Sequence, residues 1–183
     1  MSDLLQENTL IDGLTTTMED YLEVIYNLAN EKRAIRVKDI AKKLGVKMPT
    51  VTSMLKALNE KKLINYEKYE YIELTEEGSG VGQEIDRRHQ ILRGFLTDIL
   101  KIDFDQADDE ACKMEHAVSP ATINAFVDFM EFVNNCPRGG ASWLQYFDEY
   151  RVGAQPKEKC LKQMKEFADE YSNKIKEMEK GEK

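Results

Sequence analysis

VKDIAKKLGVKMPTVTSMLKALNEKKLINYEKYEYIELTEEG, residues 37 to 78, runs through two helical periodicities and one alternating pattern, and their order decides the fold. Val37, Ile40, Ala41 and Leu44 recur at helical spacing. Gly45 follows, where a residue able to adopt the left-handed conformation ends a short helix. Lys47, Met48, Pro49 and Thr50 open a second helix, with proline tolerated in a first turn whose N–H groups have no intrahelical partner. Val51, Met54, Leu55 and Leu58 form its apolar stripe. The remainder predicts two short strands, Leu63–Glu67 and Tyr71–Thr75, joined by a turn around Lys68–Glu70. Helix, turn, helix and hairpin in that order make a winged helix.

The flanks are helical. LTTTMEDYLEVIYNLANE places Met18, Tyr21, Leu22, Ile25 and Leu28 on one face, and Thr16 with Glu19 has the spacing of a capping box. GQEIDRRHQILRGFLTDIL repeats the pattern through Ile85, His89, Leu92, Leu96 and Ile99. ADDEACKMEH predicts a short helix, and Ser119, as N-cap before Pro120, starts another running to about Val133. A turn at Pro137–Gly140 precedes a short helix bearing Trp143, Leu144, Phe147 and Tyr150. Beyond Gly153 and Pro156, Leu161, Met164, Phe167 and Tyr171 share one side of a charged helix. The expected architecture is mostly α: a winged helix-turn-helix domain at 1–78, a helical domain at 79–135 and a helical extension at 136–183.

A hydrophobic content of 42% is enough for a core. No run reaches the roughly 18 apolar residues of a membrane span. MSDLLQENTLIDG lacks the basic and then apolar order of a signal peptide. Three scattered cysteines, Cys112, Cys136 and Cys160, fit a reducing compartment, so a cytoplasmic protein is expected. No role is assigned to Cys136 or Cys160.

The net charge of −8 argues against nucleic acid until its distribution is considered. Residues 32–62 carry ten Lys or Arg against only Asp39 and Glu60, a local charge of +8 on an otherwise acidic chain. Charge alone fits a solvated lysine-rich face equally well; its coincidence with the helix-turn-helix pattern favours DNA. In a winged helix the second helix of the pair enters the major groove by its N-terminal residues. Lys47, Pro49, Thr50 and Ser53 are best placed there, with Lys38, Thr52 and Lys56 beside them. Thr50 and Thr52 fit a cap and a surface residue equally well.

Cys112, Glu115 and His116 stand at i, i+3 and i+4, which gathers a thiol, a carboxylate and an imidazole on one helical face. An isolated triplet of this kind is ordinarily just a half-exposed face. The chain's only other histidine, His89, is also on a helix after the wing, and Asp20 and Glu23 on the first helix could join them. Acidic residues in a first turn also simply favour the helix dipole.

MEDYLEVIY, VKDIAKKLGVKMPTVTSMLKALNEKKLI, RRHQILRGFL and DEACKMEHAVS, in this order and spacing, resemble the DtxR/MntR family of metal-dependent transcriptional repressors over roughly residues 14–135. The resemblance implies a homodimer that binds double-stranded operator DNA, with a divalent metal between the winged helix and the helical dimerisation domain. It places the metal positions on Asp20, Glu23, His89, Cys112, Glu115 and His116. Cys112 is similar to the iron-responsive branch of the family, Asp20 and Glu23 to the manganese-responsive branch. Carboxylates suit Mn(II), whereas a thiolate draws the site toward Fe(II), Co(II) or Zn(II), so Fe(II) is expected ahead of Mn(II), with Co(II), Ni(II) or Zn(II) also able to bind in vitro. Arg93 and Asp108 stand where the iron branch has ancillary ligands, which argues against a second iron-branch site. The tail is too short and charged for an SH3-like third domain. Two rival readings remain, a metal-independent winged-helix regulator and, further off, a metalloenzyme. No small-molecule substrate or membrane is expected.

Overall fold

A computed structural model describes residues 13–67, 71–135, 140–151, 153, 161–162, 165–166, 168–173 and 176. Helix α1, Thr16–Glu31, starts one residue earlier than the capping-box spacing implies. Thr15 is extended and its hydroxyl accepts from Met18 N at 3.3 Å, so Thr15, not Thr16, is the N-cap. Glu19 is thereby free for another partner. Helix α2, Val37–Leu44, ends at Gly45 with φ 68°, the left-handed closure expected there. Helix α3, Met48–Glu60, has Lys47 at its N-cap and proline in its first turn.

The hairpin is shorter than its sequence pattern. Strand β1, Ile64–Asn65, pairs antiparallel with β2, Glu73–Leu74, in the register Ile64 opposite Leu74. The N–H groups of the next residues on each strand face away from the hairpin partner and bond elsewhere. Tyr66 N donates to Asn59 Oδ1 at 3.0 Å, and Ile72 N donates to Ile35 O, so Ile72 bridges to the segment before α2. The turn expected at Lys68–Glu70 lies outside the described residues.

One core joins these elements. Tyr21, Leu22, Ile25 and Leu28 of α1 pack with Ile40, Val51, Leu55, Leu58, Ile64 and Ile72. Each such aliphatic side chain removed from water stabilises the fold by about 1.5–3 kcal/mol. Val81 and Ile85, from the start of helix α4, Glu76–Gly94, complete this core. Further along α4, Leu92 belongs to a second cluster with Leu96, Ala107, Ala111 and Ile123. A single helix therefore passes through both.

Two glycines let α4 come close. A Cβ on Gly78 would lie 1.8 Å from the Leu63 carbonyl oxygen, and one on Gly82 would lie 2.7 Å from Tyr26 Cβ on α1. The helix continues into a π-helical turn, Phe95–Ile99, that keeps Leu96 and Ile99 buried. Helix α5, Phe104–Glu115, is capped by Asp103, and Ser119 accepts from Thr122 N at the start of α6, Pro120–Asn135, as expected of its N-cap.

Helix α7 spans Gly140–Arg151, with Leu144 and Phe147 half-buried and Tyr150 exposed. The side chain of Trp143, residues 136–139 and Cys160 lie outside the described residues. Of the expected apolar side of the last helix, Tyr171 is half-buried but Leu161 is exposed, and Met164 and Phe167 lie outside the described residues. No described helix is long and apolar enough to cross a membrane.

Candidate metal centre and nucleic-acid interface

The apolar stripe of α1 turns Glu19, Asp20 and Glu23 to the opposite side, toward α4 and α5. There they meet the residues singled out from later in the chain. Donor atoms of Glu23, His89 and Glu115 lie within 4.8 Å of one another, and so do those of Asp20, Cys112 and His116. All six expected ligand positions thus converge from three helices, in two adjoining groups of three.

Glu115 sits between the groups and is 1% exposed. Its Oε2 accepts from His89 Nδ1 at 2.8 Å, while Oε1 lies 3.4 Å from His116 Nε2. Oε1 has no hydrogen-bond partner. A buried carboxylate oxygen without a hydrogen bond is costly, and a cation closer than the His116 ring would compensate it. With carboxylates, imidazoles and a thiol around it, the donor set fits a divalent transition ion.

Both imidazoles are held at both nitrogens. His116 donates from Nδ1 to Glu19 Oε2 at 2.6 Å and from Nε2 to Asp20 Oδ1 at 2.9 Å. His89 donates from Nε2 to Asp108 Oδ1 at 3.0 Å as well as to Glu115. These contacts favour the imidazolium form. Hydrogen bonding to Glu115, helped by Asp108 and opposed by burial, raises His89 to about 9. Hydrogen bonding with Cys112, then Glu19, raises His116 to about 10. Glu23 goes up to about 7, chiefly through burial and then through the neighbouring Glu115 charge. Protons therefore balance much of the negative charge here.

The sequence pattern offers Glu19 only as a capping partner, yet it is 8% exposed and bound to His116. The i, i+4 relation of Glu19 to Glu23 was the available signal: both fall on the face away from the apolar stripe. Arg93 and Asp108 contact each other at 2.8 Å. Among the described residues no further group of metal-ligating side chains forms around them, and their ion pair occupies that edge.

On the other side of the first core, Lys38, Lys47, Pro49, Thr50, Ser53 and Lys56 are all exposed on α2 and the first turns of α3. Thr52 differs: it is half-buried and its hydroxyl donates back to Met48 O at 3.0 Å. Met48, 56% exposed, adds an apolar side chain at the same helix start.

Residues 13–72 match the family described as iron dependent repressor, N-terminal DNA binding domain. Residues 75–144 match iron dependent repressor, metal binding and dimerisation domain. The chain belongs to the DtxR/MntR family. Among relatives of this DtxR/MntR protein, an uncharacterized HTH-type transcriptional regulator of Methanocaldococcus jannaschii is 39% identical over 119 residues, 64% of this chain and 95% of the relative. The HTH-type transcriptional regulator MntR of Bacillus pumilus is 37% identical over 118 residues, 64% of this chain and 81% of the relative. Two solved structures have the same fold at TM-score 0.57. The manganese regulator SloR is 31% identical, with 66% of this chain and 56% of that one covered; T. acidophilum IdeR is 25% identical, with 67% and 57% covered. The chain thus spans little more than half the length of those two structures. Membership of a family of metal-dependent transcriptional repressors sets the metalloenzyme reading aside.

Proposed function

We propose that this DtxR/MntR protein binds operator DNA as a homodimer when a divalent transition ion is held by Asp20, Glu23, His89, Cys112, Glu115 and His116. The observation that carries the proposal is Glu115, a fully buried member of one donor group whose Oε1 accepts no hydrogen bond and faces His116 of the other group at 3.4 Å. An ion held there would supply positive charge at that point in place of protons.

The chain's own residues do the rest. Asp20 and Glu23 project from α1, whose other face packs beneath α3, while His89, Cys112, Glu115 and His116 belong to α4 and to α5 and its end. Sharing an ion would tie the reading head to the helical domain and restrict how the two halves of a dimer can be spaced. Half-sites lie about 34 Å apart per helical turn of DNA, so a fixed spacing lowers the conformational cost of docking. Ion and operator then strengthen each other reciprocally. Lys38, Lys47 and Lys56 are suited to phosphates, and Pro49, Thr50 and Ser53 to base edges. Thr52, bonded to its own helix, supports α3 before it reads a base.

Fe(II) is placed ahead of Mn(II), because Cys112 offers a thiolate that an ion preferring oxygen does not need. The metal-independent reading also has an observation in its favour, since both imidazoles already have carboxylate partners. Binding of genomic fragments in chelator, and then with anaerobic Fe(II), Mn(II), Co(II) or Zn(II), separates the two. Metal-dependent binding lost in Glu115→Ala and His116→Ala is expected; equal binding in chelator and in both variants would leave only the metal-independent regulator.

A further inference from the structure

His89 faces two carboxylates that compete for its protons: Glu115 on Nδ1 at 2.8 Å and Asp108 on Nε2 at 3.0 Å. Only the first belongs to the donor group with Glu23. A neutral imidazole that ligates through Nδ1 must keep its single proton on Nε2. Asp108 is where that proton would be held. Asp108 itself is 44% exposed at its side chain, and an unsecured carboxylate there would turn to solvent. Arg93, one turn along α4 from His89, prevents this: its Nη1 donates at 2.8 Å to the same Oδ1 that accepts from His89. Arg93 is in turn fixed by Gln90 Oε1, to which Nη2 donates, and by the Phe104 ring 4.9 Å from its Cζ.

We propose that Asp108 is the positioning residue for His89, anchored by Arg93, and that this pair fixes the imidazole with Nε2–H outward and Nδ1 toward Glu23 and Glu115. The inference rests on the reading of the site as a metal centre. Metal-bound imidazoles commonly depend on such an outer carboxylate, and losing it typically costs 10–100-fold in metal affinity. Arg93 has no effect of its own in this scheme; it acts only through Asp108.

The test uses the full chain loaded with Zn(II), a diamagnetic probe, and reads three quantities: ions bound at saturation, Zn(II) affinity, and the imidazole 15N and N–H signals of His89. In the wild type, Nδ1 should carry the metal-shifted 15N resonance and Nε2–H should exchange slowly with water. Asp108→Ala should lose that slow exchange and about 10–100-fold in affinity, with the ion count unchanged. Asp108→Asn, whose side-chain oxygen can still accept from Nε2–H, should recover part of both. Arg93→Gln should weaken binding, and the double variant should be no weaker than Asp108→Ala alone. A lower ion count in Asp108→Ala would make Asp108 a ligand and overturn the positioning role. Unchanged affinity with Nε2–H still protected would also overturn it. A wild type that binds no Zn(II) would overturn the metal centre itself, a result distinct from either.

Discussion

Loading the centre with a divalent ion should expel about one proton more per chain at pH 6 than at pH 8. The extra proton belongs to Glu23. In the metal-free protein His89 stands at about 9 and His116 at about 10, so both imidazoles are charged at either pH and each must give up a proton before it can ligate. Glu23, at about 7, is roughly nine-tenths protonated at pH 6 and roughly one-tenth at pH 8. The three groups together release about three protons at the lower pH and about two at the higher. Each proton released steepens the rise of affinity by about tenfold per pH unit. Calorimetric titration with Mn(II), repeated in buffers of different ionisation enthalpy, reads the number directly. Glu23→Gln should abolish the difference between the two pH values while leaving the imidazole contribution in place. Equal counts at pH 6 and pH 8 in the wild type would refute the raised Glu23, and fewer than one proton at both would refute imidazolium ligands altogether.

The same shifts fix the sign of a stability effect. Because His89 and His116 are raised above their unfolded value, the native metal-free chain holds protons that the unfolded chain has released; the stabilisation is complete below about pH 6.5 and is lost as the pH climbs through about 9 and 10. Thermal melting in chelator should therefore show a falling Tm across that window, and a flat Tm would contradict it. Gly82→Ala should push α1 away from α4, since its Cβ would lie 2.7 Å from Tyr26 Cβ, at a cost of about 1–3 kcal/mol in urea unfolding and with weakened metal binding. Gly80→Ala, which meets nothing within 4 Å, serves as the control and should be neutral or stabilising. Lys47→Ala should weaken binding to all DNA sequences alike and reduce the slope of log affinity against log salt by about 1, measured by fluorescence anisotropy.

Local rules were enough for the elements that depend on neighbours in sequence. The close of α2 at Gly45 and the proline start of α3 required only propensity and spacing. They were not enough where distant segments meet. Ile72 bridges to Ile35 on the outer edge of the hairpin, a partner whose position no local pattern reveals. Glu19 follows the same rule: a capping box is a local option for its carboxylate, but His116, far along the chain, offers a charged donor. The six candidate ligands were legible as residue types at helical spacing and through family resemblance. Their division into two groups about Glu115 depends on how α1, α4 and α5 pack, and so do the roles of Asp108 and Arg93.

Helix α1 has a core on one side and acids on the other, which makes it a strut rather than a hinge. Leu22 and Ile25 are fully buried in the core they share with α2 and α3, and Asp20 and Glu23 stand on the same helix. Under the proposed function, a shift at the acid end would be carried along this one helix to the face that packs under α2 and α3. A small ion would then act on the DNA-binding domain without α1 itself having to bend.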